Sequence, residues 1–285
     1  MPISPEMTIQ ASTDRPYGEL IRTTLRVLTW NVWGRFGPWQ NREAALIRTL
    51  EKVQPDVVAL QECWCDRSGQ TQAAQLAQAL GYSFVYGGGK FLENDWGTGA
   101  ALLSRWPITR HEYREFPTCE PETWGGAALF GGVDGPRGKL CIFSVILDWP
   151  PHASVVRQAS VRHLVSFLRE VGSTPFPAIV CGDFNAPPDS DEIRMLTGRT
   201  APAAPGFVLF DAWEMAGNGI GHTWARSNPW AAPALLPDKR IDYILVGRPR
   251  RGGAGNVVRC IIEGTEPVEG VVPSDHYAVV AELRY

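Results

Sequence analysis

The chain alternates between short, wholly apolar runs and stretches in which apolar positions recur every three or four residues. Runs of the first kind cover 27–30, 57–60, 84–86, 100–103, 127–130, 140–147, 178–181, 241–246, 257–262 and 277–281. Gly, Pro, Asp or Asn bound them, which marks them as strands. Several lack polar alternation, which predicts strands covered on both faces. Helical spacing predicts helices over 41–53, 71–80 and 154–171. In the last, Val155, Val161, Leu164, Val165 and Leu168 share a face, and Ser154 is the predicted cap after Pro150 and Pro151. The acids of "DSDEIRML" predict a further short helix starting near Asp189, since carboxylates favour the positive end of a helix. Residues 197–206 and 247–255 read as surface loops. Strands interleaved with helices early, then strands joined by long loops, predict an α/β (α+β) chain of two packed sheets flanked by helices. No composition break marks a linker, so 24–285 reads as a single domain, preceded by an N-terminal extension over 1–23.

Composition narrows this picture. With 285 residues, 44% hydrophobic and 20% charged, the chain can bury a substantial core. The net charge of −3 argues against a protein that grips long nucleic acid mainly through phosphates. Arg248, Arg250 and Arg251 form a local basic cluster that reads first as solvated. Six cysteines are too sparse for a disulfide-stapled fold, and "CWC" at Cys63 and Cys65 has no second pair to complete a zinc site. Neither a long apolar span nor a secretory signal is seen, so the expectation is a cytoplasmic protein with reduced thiols and no stable membrane association. No protein partner is evident. Of eleven tryptophans, Trp30, Trp106 and Trp213 are expected in the core. Trp33, Trp39, Trp96, Trp124, Trp149 and Trp230 fall in or near loops, where aromatic rings stack on bases, sugars or lipid headgroups.

Polar residues end the buried runs in a recurring way. Asn31 follows "RVLTW", Glu62 follows "VVALQ", and Asp183 and Asn185 follow "AIV" in "VCGDFNAPP". Asp242 interrupts "RIDYILV", and Asp275 and His276 precede "YAVVAEL". Singly, each has an ordinary reading: a turn former, a solvated carboxylate, a partner for Arg240, a helix cap. Together they point to one site. Asn carbonyls and carboxylates are hard donors that suit Mg²⁺ or Mn²⁺ rather than zinc. A histidine beside one aspartate, with another available for its second ring nitrogen, is an oriented imidazole. The set predicts metal-assisted hydrolysis of a phosphate ester.

"TWNVWG", "LQE", "GDFN", "RIDYIL" and "PSDH", in this order over residues 29–276, resemble the endonuclease/exonuclease/phosphatase superfamily. The resemblance implies a four-layer DNase I-like sandwich and a Mg²⁺- or Mn²⁺-dependent hydrolase acting on phosphodiesters or phosphomonoesters, small or in nucleic acid. It implies Glu62 as principal metal ligand with Asn31 and Asp275 beside it. It gives Asp183 as the residue that orients or deprotonates water, Asn185 and His276 as phosphate contacts, and Asp242 as the group that orients His276. "GTGAALLSRWPI" resembles a structural segment of the family in which Arg105 ties down the floor of the site. "GHTW" places His222 in a loop ahead of the Ile-Asp-Tyr strand.

One departure stands out. Relatives end the central strand in Thr-His-Leu, whereas here Val145 and Ile146 occupy the first two positions. Isoleucine cannot donate a hydrogen bond to phosphate, and Asp148 or His152 are the candidates to compensate. Trp149 and His222 complete the candidate substrate contacts. The loss also keeps open a non-catalytic binding module, against which the intact acid cluster argues.

Overall fold

The computed structural model describes residues 16–91, 95–119 and 125–285. One six-stranded sheet is built from β1 (Thr24–Asn31), β2 (Val57–Asp66), β3 (Ser83–Phe91), β4 (Trp96–Ser104), β11 (Val257–Glu263) and β12 (Ala278–Arg284), in the order β11-β12-β1-β2-β4-β3. The other contains β5 (Ile108–Glu115), β6 (Ala127–Gly135), β7 (Gly138–Ile146), β8 (Ile179–Asp183), β9 (Phe210–Asp211) and β10 (Asp242–Val246), in the order β5-β6-β7-β8-β10-β9. Both sheets are mixed: β1 runs parallel to β2, and β7 parallel to β8, among antiparallel neighbours.

The lack of polar alternation now has a physical account. Successive strand residues point to opposite faces, and here both faces are covered. Leu25 and Val27 of β1 pack between the sheets with Leu140, Ile142, Ile179 and Ile244. Leu28 and Trp30 face outward onto Leu46 and Leu50 of α1 (Trp39–Val53) and Leu76 of α2 (Gln72–Leu80). Phe143 and Val180 of the second sheet face α3 (Ser154–Val171) and α4 (Asp191–Thr197), against Leu164, Phe167 and Ile193. The result is the DNase I-like four-layer sandwich.

Some elements escape the sequence pattern. The edge strand β5, "ITRHEYRE", is mostly exposed or half-exposed and carries no apolar run. Two-residue β9 and the five-residue helix α5 (Ala212–Ala216) are too short for a periodicity. Ser154 is the first residue of α3 rather than its cap, and its hydroxyl bonds Glu192 at 2.8 Å. The expected short helix after Asp189 is α4, which begins at Asp191. Cys63, Cys65, Cys141, Cys181 and Cys260 are free thiols and buried. No helix among the described residues is long and apolar enough to cross a membrane.

Candidate active site

The site lies where the inward-facing rows of both sheets turn from apolar to polar. β1 reads Leu25, Val27, Thr29, Asn31 along that face, and β2 reads Val57, Ala59, Gln61. From the second sheet come Ile142, Ser144 and Ile146, then Ile179, Cys181 and Asp183. Gln61 donates to Ser144 Oγ at 2.9 Å, tying the sheets together beneath the site. Because β10 runs antiparallel to β8, its first residue Asp242 pairs directly with the last residue of β8, Asp183. A cavity of about 460 Å³ opens at this end, lined by Glu62, Asp183, Asn185, Asp275 and His276.

Local backbone geometry aims these groups. The β2–β4 register slips between Leu60 and Cys63, and Glu62 sits at that bulge with φ of 55°. A bulge of this kind redirects a side chain at the cost of some strain. Asn185 adopts φ of 50°, with its amide N–H donating to Asp183 Oδ1 at 2.9 Å, so "GDFN" is a turn that presents two polar side chains. Gly182 is required by close approach: a Cβ there would lie 1.9 Å from Val145 O of β7. The "PSDH" turn is pinned by Ser274 Oγ, which donates to Asn31 O at 2.7 Å, and by Trp30 Nε1, which donates to His276 O at 2.9 Å.

The polar groups form one network. Asn31 Nδ2 donates to Glu62 Oε1 at 2.8 Å and to Asp183 Oδ2 at 3.0 Å, while its Oδ1 accepts from Trp33 N at 3.0 Å. Asn31 thus bridges two carboxylates through its nitrogen and spends one lone pair of its oxygen on the backbone. Asn185 Nδ2 donates to Leu147 O at 2.9 Å and, at a longer 3.4 Å, to Asp183 Oδ2. His276 Nδ1 lies 2.9 Å from Asp242 Oδ2, and its Nε2 3.8 Å from Asp183 Oδ2.

Burial raises the Asp183 carboxyl to about 7, with Asp242 adding to the shift and His276 opposing it. Burial likewise lifts Asp275 to about 6 against the pull of His276, and it lifts Glu62 against its bond from Asn31. Desolvation alone would lower His276, but Asp242, Asp275 and Asp183 outweigh it and hold the ring well above its ordinary value. The surrounding acids thus favour the charged form of the His276 ring. Acids this close cannot all ionise cheaply without a cation.

The residues fit a hard divalent cation. Glu62, Asp183 and Asp275 face one cavity as oxygen donors with raised affinity for positive charge. Asp183, Asp242 and His276 also cluster within 4.8 Å, and Asp242 Oδ1 is buried without a partner. Their geometry is a hydrogen-bonded chain, with the ring nitrogen of His276 already committed to Asp242, so the Glu62 side is the better place for an ion.

The structure brings together Asn31, Glu62, Asp183, Asn185, Asp242, Asp275 and His276. Trp149, 60% exposed, lines the same cavity, as do Trp33 and Ile146. Asp148, His152 and His222 are absent from its lining. Asp148 is buried and accepts from Thr118 Oγ1 at 3.1 Å and Cys119 N at 2.8 Å, while His152 is exposed. Arg105 pairs with Asp56 at 3.2 Å beside the start of β2, the end opposite Glu62, so it does not hold the floor. Arg240 pairs with Asp211 at 2.6 Å, not with Asp242. Trp124 lies outside the described residues.

Three residues went unnoticed in the sequence. Thr223 Oγ1 accepts from Asp242 N at 3.2 Å, which gives "GHTW" a structural purpose that its own Gly-x-Thr pattern hinted at. Arg42 of α1 is fully buried and donates to the carbonyls of Val32, Trp33, Gly34, Phe36 and Pro273 at 2.8–3.1 Å. Lys239 lines the cavity. Nothing in the spacing of the last two distinguishes them from surface cations.

The model of the "Endonuclease/Exonuclease/phosphatase family" matches residues 28–276. The chain is 26% identical to Protein angel of Drosophila melanogaster over 271 residues, covering 86% of this chain and 72% of that protein. Among solved structures it resembles a humanized D. rerio TDP2 with a TM-score of 0.72, at 21% identity over 92% of this chain and 99% of that one. It also resembles the human Nocturnin catalytic domain with bound sulfate anion, with a TM-score of 0.69, at 21% identity over 93% and 94% of the two chains.

Proposed function

The chain belongs to the endonuclease/exonuclease/phosphatase family, and from the chemistry gathered in its cavity we propose that it is a divalent-metal-dependent phosphoesterase. The carrying observation is the convergence of Glu62, Asp183, Asn185, Asp275 and His276 on one cavity. In this reading Asp183, with a carboxyl near 7, takes a proton from water as the water oxygen attacks phosphorus. Asn185 shifts its long 3.4 Å hydrogen bond from Asp183 to a phosphate oxygen. His276, held by Asp242, donates from Nε2 to another oxygen and neutralises charge as the transition state forms. Glu62 and Asp275, with Asn31 fixing Glu62, would hold Mg²⁺ or Mn²⁺, which when bound neutralises charge on the phosphate and leaving oxygens.

The substrate class follows from the walls. A cavity of about 460 Å³ with Trp33, Trp149 and Ile146 on its sides suits a small phosphodiester or phosphomonoester. A strand of nucleic acid is the second reading, favoured by the likeness to D. rerio TDP2, one structure of which is complexed with single strand DNA product. Arg248, Arg250 and Arg251 do not line the cavity. The test is hydrolysis by the purified chain with Mg²⁺, Mn²⁺ or EDTA. One matched panel holds supercoiled plasmid, single-stranded oligonucleotide, sphingomyelin, a chromogenic phosphodiester and simple phosphomonoesters. Metal-dependent turnover of a small ester is the expected result. Silence across the panel, from folded protein that binds Mn²⁺, would leave the site as a binding module.

A further inference from the structure

Beyond the acids, Asn185 and His276, the cavity lining is apolar apart from one cation. Ile146, Leu147, Trp149, Trp224, Leu236 and Ile241 offer no charged donor. The β7–β8 register puts Ile146 directly beside Asp183, so the wall reaches the place where phosphorus must sit. On that wall stands Lys239. Its backbone is locked by a bridge to Trp224, with Lys239 N donating to Trp224 O at 2.8 Å and Trp224 N to Lys239 O at 3.0 Å. Its ammonium lies 5.9 Å from the centroid of the Trp224 ring. Among the described residues no carboxylate pairs with it, in contrast to Arg240 next to it, which has Asp211.

A half-buried, unpaired ammonium on an apolar wall is costly unless an anion arrives. Burial lowers the affinity of Lys239 for its proton, the Arg157 charge adds to that, and the Asp183 carboxylate partly restores it. His276 and Lys239 are the cationic side chains among the described residues lining the cavity, and they stand with different groups: His276 with the acids, Lys239 with the hydrophobic wall. A phosphate with Asn185 and His276 on one side still offers lone pairs of its non-bridging oxygens to a donor on another.

We propose that Lys239 is a phosphate-contacting residue, donating from the apolar wall to the non-bridging oxygen that Ile146 cannot serve. The assignment rests on the phosphoesterase reading for its catalytic consequence, but not for anion binding itself. A charge-assisted hydrogen bond there is stronger than a neutral one.

The chain has four lysines, Lys52, Lys90, Lys139 and Lys239, so the test can be read residue by residue. Amine modification of the full chain in Mn²⁺ buffer, followed by peptide mass spectrometry with and without inorganic phosphate, should show Lys239 alone protected, by about fivefold or more. Equal modification of Lys239 in both samples overturns the assignment. In the hydrolysis assay, Lys239→Met should lower kcat/KM by ~10- to 100-fold, a loss matching one charge-assisted hydrogen bond. Lys239→Arg should retain most activity, and adding Ile146→His to Lys239→Met should recover part of the loss. An active wild type with Lys239→Met within twofold of it overturns Lys239 and leaves the phosphoesterase reading standing. An inactive wild type with Lys239 protected by phosphate sinks that reading and keeps the anion contact.

Discussion

The two halves of the site are built differently, and their arginines show it. Each sheet is backed by a helix that sends a buried arginine to clasp a loop at the cavity rim. Arg42 of α1 holds the loop after Asn31 and, through Pro273 O at 3.0 Å, the turn that carries Asp275 and His276. Arg157 of α3 holds Asp148 O at 3.0 Å and Pro150 O at 2.8 Å, on the loop that carries Trp149. Arg157 has its own counter-ion, Glu192, at 2.5 Å. Arg42 has carbonyls for partners, the Trp33 ring at 4.7 Å, and the fields of Asp275 and Glu62 beyond. Burial lowers its affinity for a proton to about 10 against those fields.

The lesson is that Arg42 leans on the charges of the site acids, whereas Arg157 is neutralised by a counter-ion of its own. Asp183 and Asp242 face each other through strand register, which the ladder between β8 and β10 enforces. Glu62 sits on a bulge, and Asp275 on a turn that the Arg42 guanidinium clasps at Pro273 O. Removing a negative charge from the site should therefore loosen Arg42 and leave Arg157 undisturbed.

The largest expected effect removes one group from each half. Asp183→Ala and His276→Ala should each cut kcat by at least about 10³-fold, with far-ultraviolet circular dichroism unchanged. Full activity in both would end the phosphoesterase reading. Arg42→Met comes next: five carbonyls lose their donor, so unfolding should cost more than about 3 kcal/mol less in urea, with kcat reduced in what remains folded. Arg157→Met alone should also destabilise, because Glu192 is left buried and unpaired, whereas Arg157→Met with Glu192→Leu should regain stability and most activity. If the double variant lost activity as Arg42→Met does, the two clasps would be equivalent after all.

A subtler difference concerns pH. Asp183 has a folded-state value near 7, raised from 3.8. Its protonated form is favoured in the folded chain, so its contribution is fully present below the unfolded value and is lost as pH rises from about 4 through 7. His276, also raised, acts in the same direction, losing its contribution above 6.5. Metal-free protein should thus melt lower at pH 8 than its other groups alone would require. Asp183→Asn in EDTA should melt higher than wild type at pH 8, by about 2 °C for each ~1 kcal/mol relieved, with the gap closing near pH 4. No gap at pH 8 would show that the cluster is not strained by its charge. The smallest effect is expected at His152: exposed and outside the cavity lining, it should tolerate alanine with kcat/KM within about twofold.

Much of this was legible along the chain. Residues apolar on both faces of a strand announce a covered sheet, and polar residues at the ends of such runs announce an edge where solvent and substrate meet. Asn31, Asp183, Asn185, Asp242 and His276 could be read this way because strand ends and turn chemistry are local. The motif order named the family, and the apolar end of β7 at Ile146 could be read off the chain. Illegible were the edge strand β5, whose polar residues are paired only because Ala127–Gly135 lies beside it, and the aiming of Glu62 by a bulge whose partner strand is forty residues away.

The sequence by itself determined the layers, the family and the polar residues that end the buried rows, because period-two patterning and turn propensities act over a few residues. Only the tertiary structure decided that Arg42 is a buried clasp, that His276 sits among acids that favour its charged form, and that Lys239 lines the cavity while Asp148, His152 and His222 do not. Each depends on which distant groups share a low-dielectric space. Charge–charge energies and desolvation are set by distance through that space, not by distance along the chain.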